Sequence, residues 1–168
     1  MKENYKVWPV GKLPEEWQRP ELGLIKEAGY DWKDPRDAVT IFEQKVAKFA
    51  GSKYAIAVDS CTDAVMLCLN YLMDTDRLEK GSELLFPARS YVSIPMVAMA
   101  NGFKVKFEDK EWSGVYNIEP TSIYDGATRF TKDMYIQGCY QCISFQIKKR
   151  LPIGKGGMIL TNDAESVK

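Results

Sequence analysis

The chain has 168 residues, and its 23 Lys+Arg balance 23 Asp+Glu, so it lacks the broad positive field that draws nucleic acid or an anionic membrane. Its length suits one ordinary core or a piece of a larger fold. No window offers about 18 uninterrupted apolar residues, and Met1 to Lys6 lack the apolar core of a secretory leader. A cytoplasmic protein without nucleic acid or membrane partners is therefore expected, and any anion it binds must be held locally.

The first 36 residues carry Pro9, Pro14, Pro20 and Pro35 among scattered aromatics, which predicts an irregular N-terminal arm with at most one short helix. From Asp37, a candidate N-cap, the residues Val39, Phe42, Val46 and Phe49 recur at helical spacing until Gly51, so this helix should lay one face on a core. Tyr54 to Val58 reads as a buried strand, and Thr62 to Met73 returns to helical spacing. Glu83 to Phe86 reads as a short strand ending at Pro87, Ser90 to Ala100 as an apolar helix stopped by Asn101-Gly102, and Lys104 to Phe107 as a strand. After a turn-rich stretch come Ser122 to Tyr124, Met134 to Ile136, Cys142 to Phe145 and Met158 to Leu160, all strand-like. Strands alternating with helices and then strands alone predict an α/β fold with a mixed, mainly parallel sheet flanked by helices over residues 37–168.

Four cysteines, Cys61, Cys68, Cys139 and Cys142, include one C-x-x-C. Without a histidine or a second close cysteine pair the ligands for zinc are missing, so buried thiols in a reducing compartment are expected and no metal.

Four segments bear on chemistry. Val58-Asp59-Ser60-Cys61-Thr62 joins a strand to a helix start, where free amides and the helix dipole suit a phosphate. Ordinary capping by Ser60 or Thr62 explains the same residues. Asp125 follows a strand at the sheet edge where ligands of open α/β folds bind, although on this segment alone a turn aspartate before Gly126 is the better reading. Tyr91 stands near a helix start, as a ring to stack on a flat ligand or as part of the core. In Ser144-Phe145-Gln146-Ile147-Lys148-Lys149-Arg150-Leu151-Pro152-Ile153-Gly154-Lys155-Gly156-Gly157 a lysine lies between an apolar strand and a glycine turn. A nucleophilic lysine needs desolvation or a neighbouring cation, and Lys148 and Arg150 flank it; a solvated basic loop is the alternative.

This last segment resembles the lysine segment of the DegT/DnrJ/EryC1/StrS sugar aminotransferases, which runs Ser-Phe, three residues, Lys, a variable residue, Leu, then Gly-x-Gly-Gly. Lys149 fits the lysine slot and Lys148 does not. Ser60-Cys61-Thr62-Asp63-Ala64 is similar to the family's phosphate turn, with Cys61 in place of glycine, and Asp125-Gly126-Ala127-Thr128 to its Asp-x-x-Gln, with Thr128 in place of glutamine. Pro87 to Tyr91 resembles the segment that carries the stacking aromatic, while Gln146, Arg150 and Lys155 replace residues common in the family.

The resemblance implies a large domain of the fold-type-I class that binds pyridoxal 5′-phosphate (PLP). Lys149 would be the covalent anchor and base, Asp125 the partner of the ring nitrogen, with Ser60, Cys61, Thr62 and Ser144 around the phosphate, Tyr91 on the ring and Thr128 at its side. It implies transfer of an amino group from glutamate to a nucleotide-linked keto-deoxysugar for a polysaccharide or glycosylated metabolite, by a homodimer. Family members are much longer, so the N-terminal portion of the fold is expected here, without the small C-terminal domain, whether as a fragment or as a reduced protein. A non-catalytic domain that keeps the fold is the alternative. A PLP-dependent sugar dehydratase is less favoured, because that variant replaces the lysine with histidine.

Overall fold

The computed structural model describes residues 22–167 apart from Trp32 and Pro35. Pro9, Pro14, Pro20 and Pro35, and with them most of the expected arm, lie outside the described residues. The chain divides into two units, residues 1–45 and 46–168. The first holds the short helix α1 (Leu22–Glu27) and the opening turns of α2 (Arg36–Ala50). Asp34, rather than Asp37, caps α2: its carboxylate accepts from the Arg36 amide at 2.9 Å and pairs with the Arg36 guanidinium, which leaves Asp37 inside the first turn. The Arg36 guanidinium holds the Asp34 carboxyl down at about 2. In α2 the buried residues are Val46, Ala47 and Ala50, whereas Val39 and Phe49 of the expected apolar face are exposed.

The second unit continues with β1 (Tyr54–Val58), α3 (Cys61–Asp74), β2 (Glu83–Pro87), α4 (Ser93–Ala100), β3 (Lys104–Glu108), β4 (Tyr116–Ile118), β5 (Ile123–Asp125), β6 (Tyr140–Ser144) and β7 (Gly157–Thr161), closed by a 3₁₀ turn over Glu165–Val167. Five strands form one sheet in the order β1-β7-β6-β5-β4; β2 and β3 pair separately in parallel, joined to the end of β4 by the bridge between Leu85 and Glu119. The sheet is mixed, as expected, but its parallel pairing is confined to β5 with β6, and the other three pairings of the five-stranded sheet are antiparallel. After the glycine loop of residues 145–156, β7 returns against β6 without the helical crossover that usually joins parallel neighbours.

One face of this sheet is covered by α3, which buries Cys61, Ala64, Val65, Cys68, Leu69 and Leu72, while α4, which buries Ile94, Pro95 and Ala98, packs beside α3 and against β3. They meet Leu84, Phe86, Ile118, Ile123, Cys142 and Ile159. By strand alternation Gln141, Ile143, Met158 and Leu160 face the other way, and they are equally buried. This double burial explains the continuous apolar runs in β6 and β7. Met134 to Ile136 do not form the expected strand. Their backbone is used elsewhere: Tyr135 N–H donates to the Ala50 carbonyl, and Ile136 N–H donates to Gln141 Oε1. Apolar β-type residues here cover a helix end and a sheet face without joining the ladder. The expected helix from Ser90 begins only at Ser93, because Ser90 closes a turn on the Pro87 carbonyl. Strand β4 escaped the sequence reading, being three residues long between Gly114 and Pro120. No helix among the described residues is long and apolar enough to cross a membrane.

Two rows of the register bring strand ends together. Val58 pairs with Gly157 and Gly157 with Ser144, while Tyr116 pairs with Asp125 and Asp125 with Cys142. The loops that follow β1, β5 and β6 therefore leave one edge of the sheet together. Gly157 is the tightest point: a Cβ there would lie 2.4 Å from the Ser60 carbonyl carbon and 2.5 Å from the Cys61 nitrogen. Overfilling so close a backbone contact costs about 1–3 kcal/mol. Gly157→Ala should accordingly lower stability by at least that much in urea unfolding, whereas Gly138→Ala, at a turn with nothing within 4 Å but a φ of +77°, reports backbone strain without a clash.

Candidate functional site

Helix α3 begins immediately after β1. Ser60 is its N-cap in extended conformation: its hydroxyl accepts from the Asp63 amide at 3.0 Å and donates to the Asp63 carboxylate at 2.6 Å. This is a reciprocal cap built with an acid at the third helical position, so the capping reading holds for Ser60 and its hydroxyl is occupied. The amides of Cys61 and Thr62 precede the first intrahelical bond and stand at the positive end of the helix dipole. Thr62 Oγ1 lies 2.7 Å from Ser93 Oγ and ties the starts of α3 and α4 together.

Asp125, only 5% exposed, is held by three donors: Tyr116 Oη at 2.8 Å on Oδ2, and the Ala127 amide at 2.8 Å and Cys61 Sγ at 3.8 Å on Oδ1. The turn reading of this residue holds, since its bond to Ala127 is an aspartate turn, and Asp125 also lines a cavity. Burial and then the Asp125 charge push the Cys61 thiol far up; the Lys149 ammonium pulls it down and is outweighed. Burial, followed by the Asp125 charge, raises the Tyr116 phenol strongly as well, against a weaker pull from the Ser90 hydroxyl.

The lysine loop is staked by Phe145, whose amide donates to the Gly156 carbonyl at 2.9 Å and whose carbonyl accepts from Ile153 at 3.0 Å. Its ring is buried edge-on against Phe130. Gly154 at φ +102° and Gly156 at φ +126° adopt backbone that a side chain would strain. Within the loop the Lys149 amide donates to the Gln146 carbonyl and the Lys148 amide to the Gln146 side chain. Lys149 is half-buried while Lys148 and Arg150 are exposed. Lys155 pairs with Asp59 at 2.9 Å and links the glycine loop to the loop before α3.

These loops enclose a cavity of about 450 Å³. Ser60, Cys61, Thr62, Tyr91, Asp125, Thr128, Ser144 and Lys149, the eight residues singled out in the sequence, all line it. Tyr91 is not core: it is 72% exposed on the cavity wall. Thr128 is exposed, and its hydroxyl donates to the Gly114 carbonyl. The Cys61 thiol lies against Asp125, so the side chain that replaces glycine is turned into the floor and away from the amides. Arg150 is not among the lining residues, and the cations beside Lys149 are Lys148 and Lys155. Sequence reasoning missed Ser93, Trp112 and Tyr116. Trp112, set edge-on to Tyr116 at 4.9 Å, also lines the cavity. Only a non-local strand register sets Tyr116 on Asp125, and no local motif marks it.

A family model, described as the DegT/DnrJ/EryC1/StrS aminotransferase family, matches residues 26–138. The chain belongs to this family. The matched stretch includes Asp125 and ends before Ser144 and Lys149. Among curated relatives, the chain is 36% identical over 93 residues to GDP-4-keto-6-deoxy-D-mannose 3-dehydratase of Escherichia coli O55:H7, covering 54% of this chain and 24% of that protein. It is 28% identical over 119 residues to dTDP-3-amino-3,6-dideoxy-alpha-D-galactopyranose transaminase of Aneurinibacillus thermoaerophilus, covering 71% of this chain and 31% of that one. The solved structure of the E. coli GDP-4-keto-6-deoxy-D-mannose-3-dehydratase with bound hydrated PLP superposes with a TM-score of 0.65 at 20% identity, over 91% of this chain and 51% of that chain. This likeness establishes the α/β fold of PLP-dependent enzymes. The chain thus spans about half of a solved relative and less of the curated ones.

All four cysteines are buried free thiols, and burial raises Cys61 and Cys142 well above the ordinary range and Cys139 to about 12. Raised values keep a thiol protonated, so near pH 8 the nucleophilic thiolate is scarce as well as shielded. The folded protein should therefore react with none of its four thiols in an Ellman assay at that pH, and with all four once denaturant is added.

Proposed function

We propose that this chain binds PLP through Lys149 and takes part in transamination between glutamate and a keto group on a nucleotide-linked deoxysugar, in the making of a polysaccharide or a glycosylated metabolite. The carrying observation is that a half-buried lysine, a buried carboxylate and an open helix N-terminus share one cavity. The residues fit the cofactor. A carboxylate has about four acceptor directions, and Asp125 has three donors, so one direction remains for a ring N–H.

PLP, when bound, supplies an aldehyde that takes up the amino group and a ring that accepts an electron pair. Asp125 keeps the ring nitrogen protonated through a charge-assisted hydrogen bond. The Cys61 and Thr62 amides and the Ser144 hydroxyl hold the phosphate, while Tyr91 covers a ring face. The Ser60 hydroxyl contributes by fixing the turn, since it is spent on Asp63. Thr128 borders the ring without the reach of a glutamine. Lys149 Nζ would take the proton from Cα of the amino donor and return it at C4′ of the cofactor.

Lys149 in the cavity supports this reading over a non-catalytic domain. It supports an aminotransferase over a dehydratase of the histidine type as well, because Lys149 stands at the position where that type carries histidine. We place the protein in the cytoplasm and expect a homodimer. In support of the latter, Val92, just before α4, and Met96 and Met99 within it are exposed apolar side chains, Met96 and Met99 to 60% and 62%.

Borohydride treatment of the protein with PLP should fix the cofactor on the peptide containing Lys149, as read by mass spectrometry. Lys149→Ala should abolish that label and slow amino transfer from glutamate by at least about 100-fold, the scale of a lost general base. Labelling elsewhere, or none in the folded protein, would sink the proposal.

A further inference from the structure

Tyr116 stands outside every segment that the sequence singled out, yet it makes the shortest side-chain hydrogen bond to the carboxylate on the cavity floor, 2.8 Å from Oη to Asp125 Oδ2. Three features hold it in place. The antiparallel register sets Tyr116 directly opposite Asp125. Its ring meets Trp112 edge-on with centroids 4.9 Å apart. The residue is only 5% exposed, so solvent offers the phenol no alternative partner. A strand backbone, an aromatic contact and a hydrogen bond thus converge on one oxygen, while the remaining donors reach the other oxygen, Oδ1.

We propose that Tyr116 is a positioning residue for Asp125: its hydroxyl fixes the rotation of the carboxylate and so aims the acceptor direction that receives the ring nitrogen of PLP. The inference rests on the PLP reading given above. A phenol suits the task because it donates one hydrogen bond and remains un-ionised beside a carboxylate; burial and the Asp125 charge both oppose phenolate formation here. Without the phenol, Oδ2 would be a buried acceptor with no partner, free to turn about the bond that Oδ1 anchors.

The test compares PLP with an analogue whose ring nitrogen is replaced by carbon, each titrated into the protein and its Tyr116→Phe variant by calorimetry. The variant keeps the ring and its contact with Trp112, and its fold is verified by thermal unfolding and near-ultraviolet circular dichroism. The unsubstituted protein should prefer PLP over the analogue, and Tyr116→Phe should reduce that preference about tenfold, as the loss of one hydrogen bond to a charged group predicts. In an Asp125→Asn background the same substitution should change the preference no further, because the two residues act as one unit. Equal weakening of both ligands, or an unchanged preference, would overturn the positioning role while leaving PLP binding standing. Failure of the unsubstituted protein to bind either ligand would overturn the functional reading, and this inference with it.

Discussion

The site depends on a backbone contact with no room for a side chain. Where β7 begins, Gly157 abuts the peptide between Ser60 and Cys61, so the first residue of one strand braces the first turn of α3. The same glycine pairs with Val58 on one side and Ser144 on the other. One residue thus fixes the distance between the helix terminus that faces the cavity and the strand that leads into the lysine loop. A larger residue would push the helix off the sheet and separate the two halves of the site.

Polar placement follows from that frame. A buried carboxylate is costly unless its lone pairs are met, and Asp125 is met by a phenol, an amide and a thiol drawn from β4, its own turn and α3. These donors belong to three separate segments, so the carboxylate also knits the floor together. The cations are arranged differently: Lys148 and Lys155 are exposed at the rim, Lys155 paired there with Asp59, and Lys149 alone is partly withdrawn. Opposite charges at floor and rim suit a ligand that is protonated at one end and anionic at the other.

Family membership and the cavity carry complementary weight. The family match covers the helix start and the aspartate but stops before the lysine loop, whose relation to them comes from the sheet. The departures from the family pattern are absorbed locally. The thiol of Cys61 is taken up by the floor, and Thr128 turns to the Gly114 carbonyl. The five-stranded sheet has more antiparallel pairing than expected, because the chain folds back on itself between β4 and β5 and between β6 and β7, and β7 runs antiparallel to β1 as well.

Much of this protein was determined by sequence alone, wherever the physics is local. Helical spacing marked α3 and α4, apolar runs marked β1, β6 and β7, and a lysine set between Ser144-Phe145 and a glycine turn marked Lys149, since each depends on residues a few positions apart. Tertiary structure decided the rest. It withheld Met134 to Ile136 from the sheet, because their amides found partners at the end of α2 and on Gln141. It made Tyr91 a cavity wall and not core, and it set Tyr116 on Asp125 through the register of β5 with β4, a strand too short to announce itself. Such contacts arise from which strands pair and at what offset, a choice made by the burial of the whole sheet and not by any segment within it.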